Sequence, residues 1–323
     1  MKKTLKIILP LLIGAGILYY YLSKFTDEQL EEIIVSIKNA DFKWLVVSLI
    51  FGLLSHIIRA YRWDYLLDTL GYHPKKTNLV LTVGLSYLLN LAVPRAGEIG
   101  RAASLAKYEK DIDFDKAFGT IVAERMADIF FLLLFIALAF FFQFDLIYEM
   151  ISEKIPKNPI LLSVEIVGLI VVFYFFLQWL KKSDNSFIIK IRKFITGLIE
   201  GMTSILKMPH KWWFILQTTL IWLLYVAMFW VVLFAFPETE NLGIDAVLVA
   251  FIAGSIAMVI SNGGFGVYPV FVTQALLIYG ISEEIGMAFG LLMWSTQTLL
   301  VIIFGLICMI GLPIFNKDEE KIN

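Results

Sequence analysis

The sequence contains a single cysteine, Cys308, which lies within an apolar run. Neither a disulfide framework nor a thiolate metal cluster is therefore available. The three histidines, His56, His73 and His210, are scattered and do not form a ligand set. No Gly-x-x-x-x-Gly-Lys-Ser/Thr loop, His-Glu-x-x-His motif or Gly-x-Ser-x-Gly motif is present. We therefore predict no ATP-driven motor in this chain, no metal, no cofactor and no enzymatic activity.

Charged residues are also scarce, at 17% of the sequence, whereas 59% of the residues are hydrophobic. The net charge of −1 and the lack of a basic arm give no indication of nucleic-acid binding. Several apolar runs reach the roughly 20 residues that a helix needs to span hydrocarbon. The composition therefore predicts an all-α, polytopic membrane protein.

We predict a single integral membrane domain over residues 1–323, with an N-terminal span that is retained as an anchor. No small-x-small cleavage site follows the Tyr19-Tyr20-Tyr21 run, which argues against a signal peptide. The full spans are predicted at residues 5–22, 44–62, 118–142, 160–180, 212–236 and 288–312. The chain is divided into a first repeat (44–142), a linker span with a cytoplasmic surface helix (143–209), a second repeat (210–312) and a cytoplasmic tail (313–323).

Each repeat contains an apolar segment that is broken by helix-disfavouring residues. The first break, at 94–101, reads Pro-Arg-Ala-Gly-Glu-Ile-Gly-Arg, and the second, at 262–266, reads Asn-Gly-Gly-Phe-Gly. Each is followed by an acidic turn and then by Ala-Phe-Gly at the start of a long span, at 117–119 and 288–290. Interrupted segments at corresponding positions of two halves are typical of the central site of a transporter.

Loop charges predict how these segments cross the membrane. If each broken segment re-enters as a hairpin, most lysines and arginines face the cytoplasm, as do both termini. If the first were a simple span, the basic residues between Lys181 and Lys211 would face outward. Re-entry makes the two repeats inverted, with hairpins that approach from opposite sides. The alternative is that Pro94 and the glycines only kink ordinary spans.

Several charges lie where the sequence predicts membrane depth. Glu98 and Arg101 are three residues apart and share a helix face, and Glu124, Arg125 and Asp128 begin the following span. A charge at bilayer depth costs about 2.5–3.5 kcal/mol on insertion scales, so these residues need partners or a function. One interpretation is internal pairing, of Glu98 with Arg125 or of Arg101 with Asp128. The other is a hydrated cavity that holds a polar head group.

Further residues complete the candidate binding site. Counting Arg95, the first repeat has three basic and three acidic residues, a balance that does not decide the substrate. Arg59 and Arg62, near Asp64 and Asp68, are interpreted as anchors that snorkel to the cytoplasmic interface. In the second repeat, Ser295–Gln297 is expected to serve helix packing. The predicted substrate-binding residues are Arg95, Gly97, Glu98, Arg101, Glu124, Arg125, Asp128, Asn262, Gly263, Gly264 and Tyr268.

The break at 94–101 and the segment Glu-Arg-Met-Ala-Asp at 124–128 resemble the lysylphosphatidylglycerol synthase transmembrane, or flippase-like, family. That family has Pro-Gly-Gly-x-Gly-Glu-x-x-Arg at the first break, so Arg95 and Ala96 replace its glycines. The second break is similar, with Asn262 in place of proline. The resemblance implies translocation of a lipid or a lipid-linked polar head group across the cytoplasmic membrane. We expect no aminoacyl transfer, because the sequence lacks the soluble transferase domain.

Two functions remain open at this point. The first is a flippase-like protein whose partners are a membrane lipid or lipid-linked substrate and, as a candidate, a separate lipid-modifying enzyme. The second is an intramembrane transferase or assembly partner in the synthesis of cell-envelope lipids or glycolipids. The second function would use the intramembrane carboxylates for proton chemistry.

Overall fold

Helices account for all the regular structure in the part of the chain that the computed structural model describes. That part comprises residues 2–143, 205–261 and 263–317, with six further residues between 178 and 203. The all-α prediction is confirmed. The helices are α1 (Lys2–Leu22), α2 (Asp27–Asn39), α3 (Phe42–Asp68), α4 (Lys76–Ala92), α5 (Ala96–Tyr108), α6 (Phe114–Phe142), α7 (Lys211–Leu233), α8 (Ile244–Ile260), α9 (Val267–Leu277) and α10 (Glu283–Phe315).

Four of these helices, α3, α6, α7 and α10, are long and apolar enough to cross a membrane. They contain or overlap the spans predicted at 44–62, 118–142, 212–236 and 288–312. Leu11–Leu22, Ile244–Ile260 and Val267–Leu277 are shorter apolar helical stretches. The predicted span at 160–180 and most of the predicted surface helix lie outside the described residues. The chain is a membrane-spanning protein.

Side-chain caps fix several helix starts. Thr26 and Gln29 form a capping box at the start of α2, each side chain bonded to the other residue's backbone N–H. The Ser282 hydroxyl accepts a hydrogen bond of 3.3 Å from the Ile285 N–H and begins α10. For this reason α10 begins at Glu283, five residues before the predicted boundary at residue 288.

Packing groups the chain into two compact units. The first consists of Met1–Arg125 and Met208–Asn323, and the second is Met126–Lys207. The first unit therefore contains the start of α6 and every other helix named above. The second unit contains the rest of α6. Glu98, Arg101, Glu124 and Arg125 all lie within the first unit.

Small residues allow close helix contacts in the first unit. A Cβ added at Gly84 of α4 would overlap the Cys308 sulfur of α10, and one at Gly305 would lie 2.6 Å from Leu88 Cβ. Gly290 of α10 lies similarly close to Pro269 of α9. In lipid, where burial of apolar surface does not drive helix association, such close packing holds helices together.

Both predicted breaks interrupt helices in the structure. The first separates α4 from α5 at residues 93–95, and α5 folds back so that Gly97 and Gly100 contact Ser86 and Leu89 of α4. The second separates α8 from α9 at residues 261–266, and Tyr268 of α9 lies against Gly254 of α8. Each predicted repeat therefore contains two helices joined by a short non-helical break, which we call the tip of the helical pair.

The two tips lie next to each other. A Cβ added at Gly263 would be 3.8 Å from Leu91 Cδ1, at the end of α4. The N-terminal helix also reaches this region, because an added Cβ at Gly14 would overlap the Phe265 carbonyl oxygen. Gly264 and Gly266 of the second break are buried, whereas residues 92–95 of the first break are exposed.

Candidate functional site

Glu124 is the most buried acidic residue in the described part of the chain, at 1% exposed. Two arginines of α3 bind one of its oxygens: Arg59 Nη1 lies 3.0 Å and Arg62 Nη2 lies 2.9 Å from Oε1. Arg101 of α5 approaches the other oxygen, with Nη2 at 3.0 Å from Oε2. Three guanidinium groups therefore converge on one carboxylate. We call Arg59, Arg62, Arg101 and Glu124 the arginine cluster.

Neighbouring side chains hold the guanidinium groups in place. Arg101 stacks on the Trp63 ring, with Cζ 3.8 Å from the ring centroid. Trp63 in turn donates a 2.8 Å hydrogen bond to the Thr120 hydroxyl of α6. From α7, Thr218 accepts a 3.1 Å bond from Arg62, and the Tyr225 hydroxyl accepts one of 3.2 Å from Arg59. The cluster therefore joins α3, α5, α6 and α7.

A second ion pair lies on the same helices. Arg125 Nη2 donates to Glu98 Oε1 at 2.6 Å, which confirms the predicted pairing of Glu98 with Arg125. These side chains are more accessible, at 42% and 21% exposed. The ion pair described for Arg101 is with Glu124 rather than with the predicted Asp128. Asp128 follows one turn later on α6, within the second unit.

The interpretation of Arg59 and Arg62 as interfacial anchors is wrong. Their residues are 5% and 0% exposed, and both bind Glu124. Their supposed acidic neighbours have other contacts: Asp64 pairs with Lys76, and Asp68 lies 3.2 Å from His73 Nδ1. An isolated buried carboxylate is so unfavourable that the long arginine side chains turn inward to neutralise it.

A sequence signal for these two arginines was available. Ser48, Gly52 and Ser55 recur at helical spacing along α3, and continuing that spacing leads to Arg59 and Arg62. Small and polar residues on one stripe of an apolar helix mark the face that packs against other helices. This face is buried in the structure, so the arginines on it point into the protein.

The first break itself has a strained backbone. Arg95 adopts φ 63° and ψ 10°, in the left-handed region that favours glycine, and its side chain is exposed. Two residues later, Gly97 donates its N–H to Asn90 Oδ1 at 2.8 Å. A Cβ at Gly97 would overlap the Ser86 carbonyl oxygen, so only glycine allows α5 to approach α4 this closely.

We expect Arg95→Gly to be more stable than Arg95→Ala. Both variants remove the guanidinium group, but only glycine removes the left-handed strain, which costs about 1–2 kcal/mol for a residue with a Cβ. The greater flexibility of unfolded glycine offsets about 0.4–1 kcal/mol of that gain. Thermal melting in detergent would measure the difference. Equal melting temperatures would contradict the assignment of strain to Arg95.

The second break is held by packing and backbone hydrogen bonds. Trp294 Nε1 donates to the Gly263 carbonyl oxygen at 2.8 Å, and Gly264 lies against Met258 and Trp294. Tyr268 is buried, with its ring against Gly254. The contacts described for Gly263, Gly264 and Tyr268 are thus with neighbouring helices of the protein. Asn262 lies outside the described residues.

Gln297 of α10 has the packing role that the sequence predicts. Its Nε2 donates a 3.1 Å hydrogen bond to the Ser48 hydroxyl of α3. The Ser48 hydroxyl in turn donates to the Met228 carbonyl oxygen of α7, at 2.9 Å. This side of α3 is thus fixed to both α7 and α10.

The structure changes the charge balance of the candidate site. The sequence counts three basic and three acidic residues there, but Arg59 and Arg62 raise the basic count to five. The acidic residues of the candidate site that lie in the same unit as these arginines are Glu98 and Glu124. The site therefore has an excess of positive charge.

Comparison with known proteins identifies the family of this chain. The model of the lysylphosphatidylglycerol synthase transmembrane region matches residues 7–305. The chain belongs to this family. The match includes both breaks and the whole arginine cluster, which confirms the resemblance drawn from the motifs at 94–101 and 124–128.

Two curated relatives are membrane proteins of archaea. A UPF0104 membrane protein of Methanocaldococcus jannaschii is 29% identical over 130 residues, or 39% of this chain and 36% of the relative. A UPF0104 membrane protein of Pyrococcus horikoshii is 24% identical over 145 residues, or 44% of this chain and 41% of the relative. The matched stretches therefore span less than half of each relative. No solved structure matches the chain.

Proposed function

We propose that this membrane protein translocates a lipid or lipid-linked polar head group across the cytoplasmic membrane. The observation that carries the proposal is the arginine cluster, in which four charged side chains no more than 6% exposed meet beside a broken helix. A structural core at membrane depth could be built from apolar residues at lower cost. Charges maintained there are typical of a path for a polar substrate.

The two broken helical pairs support the same proposal. Their tips lie side by side at Gly263 and Leu91, as expected for opposed hairpins that meet near the bilayer midplane. The Glu98–Arg125 pair is partly exposed beside the first tip, so its charges are accessible to a head group. Movement of one helical pair against the other would expose the site to alternate sides of the membrane.

Membership of a family named for lysylphosphatidylglycerol synthase is consistent with a role connected to membrane lipids. We propose that the chain itself performs translocation and that a separate enzyme modifies or supplies the lipid. The alternative, an intramembrane transferase or assembly partner, requires a covalent product or a complex with another enzyme.

Reconstitution of the purified protein into vesicles with labelled lipids tests the function. We expect the label to exchange between leaflets faster than in empty vesicles, with no covalent change in the lipid. Mass spectrometry of the recovered lipids separates the two functions. A new lipid product without leaflet exchange would reject the flippase proposal in favour of the transferase.

The proposal also includes an inverted topology with both termini in the cytoplasm. We expect cysteines introduced at Asp111 and Glu283, both exposed, to be labelled from opposite sides of the membrane. Cys308→Ser provides the background, since the native thiol is 1% exposed. Asp111 should react from the cytoplasm and Glu283 from outside, as measured with a membrane-impermeant maleimide in oriented vesicles. Labelling of both positions from one side would contradict inverted re-entry.

A further inference from the structure

We infer that the three arginines of the arginine cluster form an anion-binding site, which the Glu124 carboxylate of the same protein occupies in this structure. An oxyanion of the phosphate class displaces this carboxylate when substrate binds. The inference rests on the proposed function, because it names the head-group class for the same site. It also goes further, since the sequence leaves both zwitterionic and anionic head groups open.

The geometry around Glu124 is that of a bound anion. Arg59 and Arg62 of α3 donate hydrogen bonds to one oxygen at 3.0 and 2.9 Å, and Arg101 of α5 lies 3.0 Å from the other oxygen as an ion pair. Charge-assisted contacts from planar guanidinium groups to a carboxylate have the same geometry as those to a phosphate. The three guanidinium groups could therefore make the same contacts to phosphate oxygens as they make to the carboxylate oxygens.

The charge balance favours an anionic over a zwitterionic ligand. Three buried arginines share the single Glu124 carboxylate, whereas Arg125 is paired with Glu98. At low dielectric an excess of positive charge is costly unless an anion compensates it. A neutral head group would leave this excess uncompensated.

The placement of Glu124 suits an internal substitute for the ligand. The carboxylate is on α6, whereas the three arginines are on α3 and α5. Separation of these helices would withdraw the carboxylate and leave the guanidinium groups together on their own side. With Glu124 in place the four side chains of the cluster are no more than 6% exposed, and the carboxylate balances part of their positive charge.

Glu124→Gln tests the inference, because it retains the side-chain shape but removes the competing negative charge. We expect this variant to melt at a lower temperature than the wild type. Added inorganic phosphate should recover most of the loss, since a ligand that binds only the folded state stabilises it by mass action. Wild-type protein and Asp64→Asn, a charge removal in an ion pair outside the candidate site, serve as controls for the general stabilising effect of phosphate, with sodium chloride at matched ionic strength.

Glu124→Asp provides a second variant if Glu124→Gln does not yield folded protein. It keeps the charge but shortens the side chain by one methylene, so the carboxylate competes less well for the arginines. We expect its phosphate-dependent rise in melting temperature to lie above that of the wild type and below that of Glu124→Gln.

Lipid micelles distinguish between a lipid head group and a soluble anion as the ligand of the three arginines. Micelles containing phosphatidylglycerol should stabilise both variants more than micelles containing phosphatidylcholine if the anion is a lipid head group. Stabilisation by inorganic phosphate alone would identify a soluble anion and still support the anion site. The inference is overturned if neither variant gains more stability from phosphate or phosphatidylglycerol than the wild type and Asp64→Asn. Leaflet exchange by the wild type in that case would leave the proposed function intact.

Discussion

Glu124→Leu should destabilise the protein by about 3–5 kcal/mol, the cost of leaving a buried charge without its partner. The substitution removes the carboxylate that Arg59, Arg62 and Arg101 share, and these residues are 0–5% exposed. Leucine has a similar volume to glutamate. The decrease in stability would therefore reflect the unpaired arginine charges rather than a cavity. The yield of folded protein and the thermal midpoint in detergent measure the effect.

The matched control is Glu98→Leu, which makes the same chemical change in a less buried ion pair. Arg125 is 42% exposed and remains hydrated after the substitution. We therefore expect a loss of about 1 kcal/mol or less for Glu98→Leu. Similar melting temperatures for the two variants would mean that the cluster is as hydrated as the Glu98–Arg125 pair.

The double variant Glu98→Leu, Arg125→Leu should remain folded but lose transport by about tenfold or more. Removal of both members leaves no uncompensated charge, so expression and melting should stay close to those of the wild type. A head group would lose a charge-assisted contact of about 1.5–3 kcal/mol, equivalent to a tenfold or larger decrease in rate. Leaflet exchange in vesicles, measured at equal protein content, tests this result.

Asp64→Leu, Lys76→Leu is the corresponding control. These residues form another ion pair of the first unit, between α3 and the start of α4, and they do not belong to the candidate site. We expect transport by this variant to equal that of the wild type. Full transport by the Glu98→Leu, Arg125→Leu variant would instead show that this ion pair has only a structural role. The site would then have to be sought among residues 262–268.

The class of the protein and its helices could be predicted from the sequence because lipid imposes simple constraints on the chain. A spanning helix must be long and apolar, and this requirement is visible in the runs that became α3, α6, α7 and α10. Local signals also placed both breaks, since the effects of proline and glycine act over a few residues. The pairing of Glu98 with Arg125 could be proposed because both lie near one loop.

The tertiary structure decided which charges meet. Arg59 lies 65 residues before Glu124, and nothing local distinguishes an arginine that snorkels to the interface from one that turns inward. Which of these occurs depends on whether the neighbouring helices offer a buried carboxylate, and here α6 does. The partner of Arg101 was decided in the same way, since the tertiary structure places Glu124 3.0 Å from its guanidinium group. The sequence by itself determined a membrane protein with two interrupted helical pairs, whereas only the packing of four helices created a buried site rich in arginine.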